Sequence, residues 1–220
     1  MTALVDLWFA TLDMLPDDRR GASDDELGRA ARFRHDADRR RFLAGVHLLR
    51  AVVDDRVGDP SATIDRTCTT CSRQHGRPQV VGHALHVSVA HAGDVVVIAA
   101  CAEAAVGVDV ERLDAVGRDE VASITGFDGL VAAAGTPAQV WTRREAVLKA
   151  SGLGFALDPR TVRCEADGSV TWSGPDARWV DVAVPEDVSS GYAAAVVWLR
   201  SEPVEVRYRD ARCLFGLARS

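Results

Sequence analysis

Between residues 85 and 111 the chain carries three apolar, β-rich runs, 85–90, 95–101 and 106–111, parted by segments of only four residues. Connections this short, one of them His91-Ala92-Gly93-Asp94, favour antiparallel neighbours over crossovers. The three runs are therefore expected to form an antiparallel meander.

Helical patterns lie on both sides of it. Ser23 followed three residues later by Glu26 is a capping box with an acidic first turn, opening a helix through residue 34. Over residues 36–56, Phe42, Leu43, Val46, Leu49, Val52 and Val53 share one broad face, and Gly58-Asp59-Pro60 ends the pattern. Residues 61–82 have Gly76 and Pro78 but weak periodicity, and read as loop with at most short strand pieces. Beyond the β-rich centre, helices are expected over 118–134 and 137–151, the second with Pro137 in its first turn and Gly152 at its end. Residues 161–164 and 169–172 flank Ala166-Asp167-Gly168 as a hairpin, and strands follow near 179–184 and 192–199.

Helix, helix, strands thus occurs twice, and GDVVVIAACAEA from Gly93 is weakly similar to GYAAAVVWLRSE from Gly191. The expected fold is α+β, with two pseudo-symmetric halves, residues 1–104 and 105–220, each a small antiparallel sheet packed with helices. The crevice between such halves is a usual place for a ligand. At 220 residues, 47% of them hydrophobic, the chain is long enough to bury a substantial core as a monomer. A net charge of −6 gives no general pull toward nucleic acid. The first residues lack a basic flank and an unbroken apolar segment, and no apolar run approaches the roughly 20 residues of a membrane helix. The protein is expected to be cytoplasmic, with no membrane partner. Five scattered cysteines in a chain of this size read as reduced thiols.

Among 26 basic side chains a single lysine stands, Lys149. A chain that otherwise uses arginine points to a task there that a compact ammonium performs and a guanidinium does not. Lys149 follows Glu145 by four residues, on one helix face, where an exposed ion pair is the ordinary outcome. Upstream, Gly107-Val108-Asp109-Val110-Glu111 alternates as a strand. Its valines point to the core, and Gly107, Asp109 and Glu111 point the other way. Two carboxylates about 7 Å apart along a strand can converge on one hard cation, and a glycine beside them would let a ligand approach the backbone. Brought together, these acids and the lysine would supply metal ligands, a general base and a cation for phosphoryl chemistry. Ser88 and His91 lie close by in Val87-Ser88-Val89-Ala90-His91, but no nucleophile elbow surrounds the serine, so phosphate contacts suit them better than hydrolysis.

Taken in order, HGRP (75–78), SVAH (88–91), GVDVE (107–111) and WTRREAVLK (141–149), with RRRFLAGVHLLR (39–50) upstream, resemble the motifs of Sfp-type 4′-phosphopantetheinyl transferases over about residues 29–155. The resemblance implies the pseudo-dimeric fold of that family. It also implies a reaction: the phosphopantetheine arm of coenzyme A passes to a serine of an acyl or peptidyl carrier protein of polyketide or nonribosomal peptide assembly. 3′,5′-ADP is released and Mg²⁺ is required. By motif, Asp109, Glu111 and Glu145 become the metal-proximal acids, Glu145 also the base, and Lys149 the cation on the diphosphate. Arg41 and His91 would face the coenzyme A phosphates, Arg77 and Ser88 the adenosine end, and Arg29 would extend the phosphate patch. Ala90 and Ala92 replace two serines common in the family, and Arg144 stands where a lysine often precedes the glutamate. The alternative is a cleft that binds coenzyme A or a nucleotide without catalysis.

Cys68-Thr69-Thr70-Cys71, followed by His75 and His83, also raises zinc. The Cys71-to-His75 gap is shorter than in a finger and no second cysteine pair follows, so sequence favours reduced thiols, although two thiolates and two imidazoles can form a tetrahedral site.

Overall fold

The computed structural model describes residues 2–16, 21–68, 71–126 and 135–217. Two sheets pack face to face, and each carries a helix on its outer side. The first sheet has the order β11-β1-β5-β4-β3-β2 and the second β6-β10-β9.

In the first sheet, β1 (Ala3–Thr11) lies antiparallel to β5 (Val95–Cys101), which pairs on its other side with β4 (His86–Ala92). Then come β3 (Gln74–Val80) and β2 (Ile64–Thr67). In the second, β10 (Tyr192–Trp198) pairs with β6 (Val106–Arg112) and β9 (Arg178–Val182). A small hairpin of β7 (Arg163–Cys164) and β8 (Val170–Thr171) forms where its turn residues foretold and bridges to β9 through Ser169 and Arg178.

The meander is corrected by these pairings. Both edges of β5 are occupied, by β4 and by a strand the sequence reading did not foresee, β1, so β6 has no edge to join and crosses to the facing sheet. Its valines Val106, Val108 and Val110 still face inward, against Val5, Leu7, Val95, Val97 and Ala99 across the sheet interface. A second unforeseen strand, β11 (Val204–Asp210), runs parallel to β1, so the C-terminal segment belongs to the sheet of the N-terminal one and crosses the division expected at residues 104 and 105. The 61–82 loop contains β2 and β3.

The long helix α2 (Asp36–Val57) covers the first sheet with Leu48, Leu49, Val52 and Val53, while Phe42, Leu43 and Val46 hold the short α1 (Asp24–Ala30). The expected single apolar face thus serves two neighbours. Helix α1 opens on the Ser23–Glu26 capping box and ends at Ala30, before residue 34. Helix α3 (Arg118–Thr125) closes on Gly126 in the left-handed region; residues 127–134, where the sequence pattern continued the helix, lie outside the described residues. Helix α4 (Pro137–Ser151) has the expected bounds, with a Thr136–Gln139 capping box, Pro137 in its first turn and Gly152 at φ 74°.

Helix α4 packs on β6 and β10, burying Ala146, Val147, Leu148 and Ala150. Its approach to β6 depends on Gly107. A Cβ built there would lie 2.0 Å from the Ala146 carbonyl oxygen and 2.5 Å from the Ala150 nitrogen. The open side of Gly107 is therefore filled by helix backbone, correcting the expectation that a ligand would use it. Backbone cannot rotate away as a side chain can, so Gly107→Ala must push α4 off the sheet. The expected result is a loss of about 3 kcal/mol by denaturant unfolding, with Glu145 and Lys149 displaced from the acids of β6.

Candidate active site

One cleft of about 740 Å³ opens where β3, β4, β6 and α4 meet, a size suited to a cofactor-sized ligand. The 3.6-residue period of α4 puts Trp141, Glu145 and Lys149 on the stripe that faces it. From β6 come Asp109 and Glu111, projected by the alternation that sends the valines into the core. Trp141 stacks with exposed Phe155 at the mouth, ring centroids 6.5 Å apart.

The acids and the lysine meet across the β6–α4 contact. Lys149 Nζ donates to Asp109 Oδ1 at 2.6 Å, so its close ionic partner is forty residues away rather than Glu145 four residues back. Asp109 is only 4% exposed, and its Oδ2 is buried without a hydrogen-bond partner. Burial pushes the Asp109 carboxyl upward while the Lys149 ammonium opposes the shift. Glu111 is driven up to about 7, first by burial and then by the charge of Asp109. Glu145 also moves up, by burial chiefly. Three acids of one cleft are held in a state that added positive charge would relieve.

The opposite wall is basic. Arg29 of α1, Arg66 of β2 and Arg77 of β3 line it, and among the described residues none of the three is in an ion pair with a carboxylate. Burial lowers all three, Arg66 to about 10, with repulsion from Arg29 adding to it. Arg77 Nη1 donates to the Ala150 carbonyl at 3.0 Å and its Nη2 lies 3.2 Å from His86 Nδ1, joining β3 to the end of α4. Arg29 lies over the Phe42 ring at 4.9 Å. Half-buried guanidiniums outside any carboxylate ion pair are a place for an anion.

Ser88 and His91 also line the cleft. The Ser88 hydroxyl oxygen accepts from the Val108 N–H at 3.1 Å, bridging β4 to β6, so part of its bonding capacity serves the sheet interface. His91 keeps an exposed surface in the cleft, and partial desolvation together with the Lys149 ammonium lowers its imidazole to about 4, which leaves it neutral at neutral pH. Arg41 is the member of the expected set that does not line the cleft: its Nε donates to the Gly93 carbonyl at 2.7 Å and its Nη1 to Asp38 at 2.8 Å. These nearer acceptors hold the guanidinium against its own helix and the β4–β5 turn. Arg66 was missed from sequence because β2 lies in a stretch without strand periodicity and its register shifts at Arg66 itself.

The acids fit a divalent cation by chemistry: oxygen donors, one of them orphaned and buried, with excess negative charge. Asp109, Glu111 and Glu145 do not, however, form a cluster whose oxygens all lie within 4.8 Å of one another; among the described residues the group that meets that spacing is Cys68, Cys71 and His75. Mutual repulsion of carboxylates and the seat of Lys149 on Asp109 account for the acids standing apart. The chain matches no protein-family model and no curated protein. No described helix is long and apolar enough to cross a membrane.

Glu111→Gln is expected to stabilise the protein in chelator-treated buffer while removing a cation ligand. Because the folded carboxyl titrates near 7 instead of 4.5, the wild type loses stability as pH rises from 4.5 to about 7 and carries the full cost above that. Above pH 7 the variant should therefore gain about 1–2 kcal/mol in urea unfolding, allowing for solvent screening, and the gap should close toward pH 4.5. An unchanged gap across that range would show that Glu111 is not repelled in the empty cleft.

Proposed function

We propose that the chain is a Mg²⁺-dependent 4′-phosphopantetheinyl transferase, moving the phosphopantetheine arm of coenzyme A to a carrier-protein serine. The observation that carries this reading is that Asp109, Glu111, Glu145 and the only lysine line one cleft, opposite half-buried arginines that are in no carboxylate ion pair among the described residues. The architecture is compatible with the α+β fold this reading calls for: a six-stranded sheet, antiparallel except where β11 runs parallel to β1, packs on a three-stranded antiparallel sheet, and each carries a helix.

In this reading Arg66, Arg77 and Arg29 receive the phosphorylated nucleoside end of coenzyme A, with Ser88 and the neutral His91 as hydrogen-bonding neighbours. Asp109, Glu111 and Glu145 would hold Mg²⁺, which when bound neutralises charge on the diphosphate. Glu145, raised by burial, is placed to accept the proton of the incoming serine hydroxyl, directly or through water. The serine oxygen bonds to the β-phosphorus as the bond to the 3′,5′-ADP oxygen breaks, with the two oxygens in line. Lys149 exchanges its contact with Asp109 for the departing phosphate, where its compact charge follows the moving oxygen. Trp141 and Phe155 give the mouth an apolar rim for the arm.

The test is incubation with coenzyme A, Mg²⁺ and an apo carrier protein, read by mass spectrometry of the carrier. A gain of one phosphopantetheine on serine is expected, and coenzyme A binding without it would leave a binding cleft only. Glu145→Ala and Lys149→Ala should lower turnover by about a hundredfold or more at unchanged fold, since each removes a group acting at the reacting phosphate. Lys149→Arg should also be impaired; full activity would remove the reason for the lone lysine.

A further inference from the structure

A second group of ligand atoms stands at the rim of the cleft, outside the acids. Cys68 Sγ, Cys71 Sγ and a ring nitrogen of His75 all lie within 4.8 Å of one another, and Cys71 Sγ is 2.8 Å from His75 Nε2. None of the cysteines is in a disulfide.

The chain between β2 and β3 is shaped to face these groups toward one another. Cys68 N–H donates to the Arg73 carbonyl at 2.8 Å and Ser72 N–H to the Cys68 carbonyl at 2.9 Å, so Ser72 and Arg73 are held against Cys68. Ser72 makes this turn at φ 58°, in the left-handed region that a residue with a Cβ enters at a cost of about 1 kcal/mol. Gly76 completes it. A Cβ there would lie 2.9 Å from the Thr67 carbonyl oxygen and 3.1 Å from the Cys68 Cα, so its absence lets the start of β3 press against the end of β2. His83, the fourth ligand considered from sequence, is not in the group; it lies beyond β3, close enough to Asp59 to act on its carboxyl.

We propose that Cys68, Cys71 and His75 bind a zinc ion that clamps the β2–β3 turn at the cleft rim, with a fourth position left to water or an exogenous anion. Two thiolates and an imidazole are the borderline-soft donors that zinc takes in tetrahedral sites. Zinc–sulfur bonds of about 2.3 Å and zinc–nitrogen bonds of about 2.0 Å set ligand separations of about 3.6–3.8 Å. The sulfurs and the imidazole therefore need only small movements, Cys71 and His75 opening while the remaining pairs adjust within their present span. Each thiol gives its proton to solvent as its sulfur binds, and no bond between protein atoms is made or broken. A Cys68–Cys71 disulfide is the competing use of these sulfurs, but it gives no part to the imidazole seated on Cys71.

The consequence reaches the cleft. Arg66 lies two residues before Cys68, where the β2–β3 register shifts, and Arg77 lies two residues after His75 on β3, where strand alternation puts both on one face. All four residues line the cleft. A metal joining Cys68 to His75 fixes the spacing of the two guanidiniums. The site does not depend on the transferase reading, because its ligands are not the acids.

The full-length protein, purified in reducing buffer, loaded with zinc and desalted, is expected to retain about one zinc per chain by elemental analysis. Cobalt in its place should give a thiolate-to-cobalt charge-transfer band in the near ultraviolet. Cys71→Ser should abolish that band, and His75→Ala should weaken zinc binding at least about tenfold, while Cys213→Ser, remote and exposed, leaves both unchanged. Circular dichroism would confirm that the variants fold. Chelation should raise amide exchange in residues 66–77 and leave α4 unchanged. The proposal is overturned by wild-type zinc content below about a tenth of stoichiometric, by equal affinity in Cys71→Ser, or by a thiol count two short of five in reducing buffer.

Discussion

The backbone-to-backbone approach of α4 and β6 at Gly107 is the constraint on which the cleft depends. Gly107 sits one strand position before Val108 and two before Asp109, so the same register that clears room for Ala146 and Ala150 sets Asp109 under Lys149. Helical period then places Glu145 and Trp141 one and two turns away on the cleft side. A strand that carried any side chain at residue 107 would hold the helix too far out for a 2.6 Å contact between an ammonium and a nearly buried carboxylate.

That arrangement stores electrostatic cost. Asp109, Glu111 and Glu145 are raised by burial on a wall they share with Lys149, and Arg29, Arg66 and Arg77 are lowered by it on the opposite wall of the same cleft. Charged groups left unpaired lower stability, and they persist where a ligand later satisfies them. Stability comes from elsewhere. Valines, alanines and aromatics of both sheets fill the interface between them, and the wholly buried Asp6 of β1 gathers Arg56 of α2 and Arg209 of β11 at 3.0 and 2.9 Å. This ion cluster pins the last strand to the first and thereby closes the larger sheet on the C-terminal segment.

What could be read in advance followed the range of the interactions involved. The capping box at Ser23, Pro137, Gly152 and the Ala166-Asp167-Gly168 turn act within a few residues, and each marks an element where the structure has one. β1 was not visible because it is buried on both faces and lacks alternation, whereas β11 does alternate, Val204, Val206 and Tyr208 against Glu205, Arg207 and Arg209, a strand signal that the sequence reading passed over. The site divides in the same way. Asp109, Glu111, Glu145 and Lys149 stood out by spacing and by the rarity of lysine, whereas Arg66 lay in a stretch with no strand period. Arg41, in a conspicuous basic run, is captured by Asp38 and the Gly93 carbonyl.

Helix starts, the turns at Gly93 and Gly168, the inward and outward faces of GVDVE and the stripe of α4 follow from the order of residues, because periodicity and capping are local properties of covalent geometry. Long-range packing settles that β6 leaves β5, that Lys149 pairs with Asp109 instead of Glu145, and that Cys68, Cys71 and His75 come together. Each of those outcomes turns on which edges and acceptors are already taken when distant segments meet, a competition that spacing along one chain does not encode.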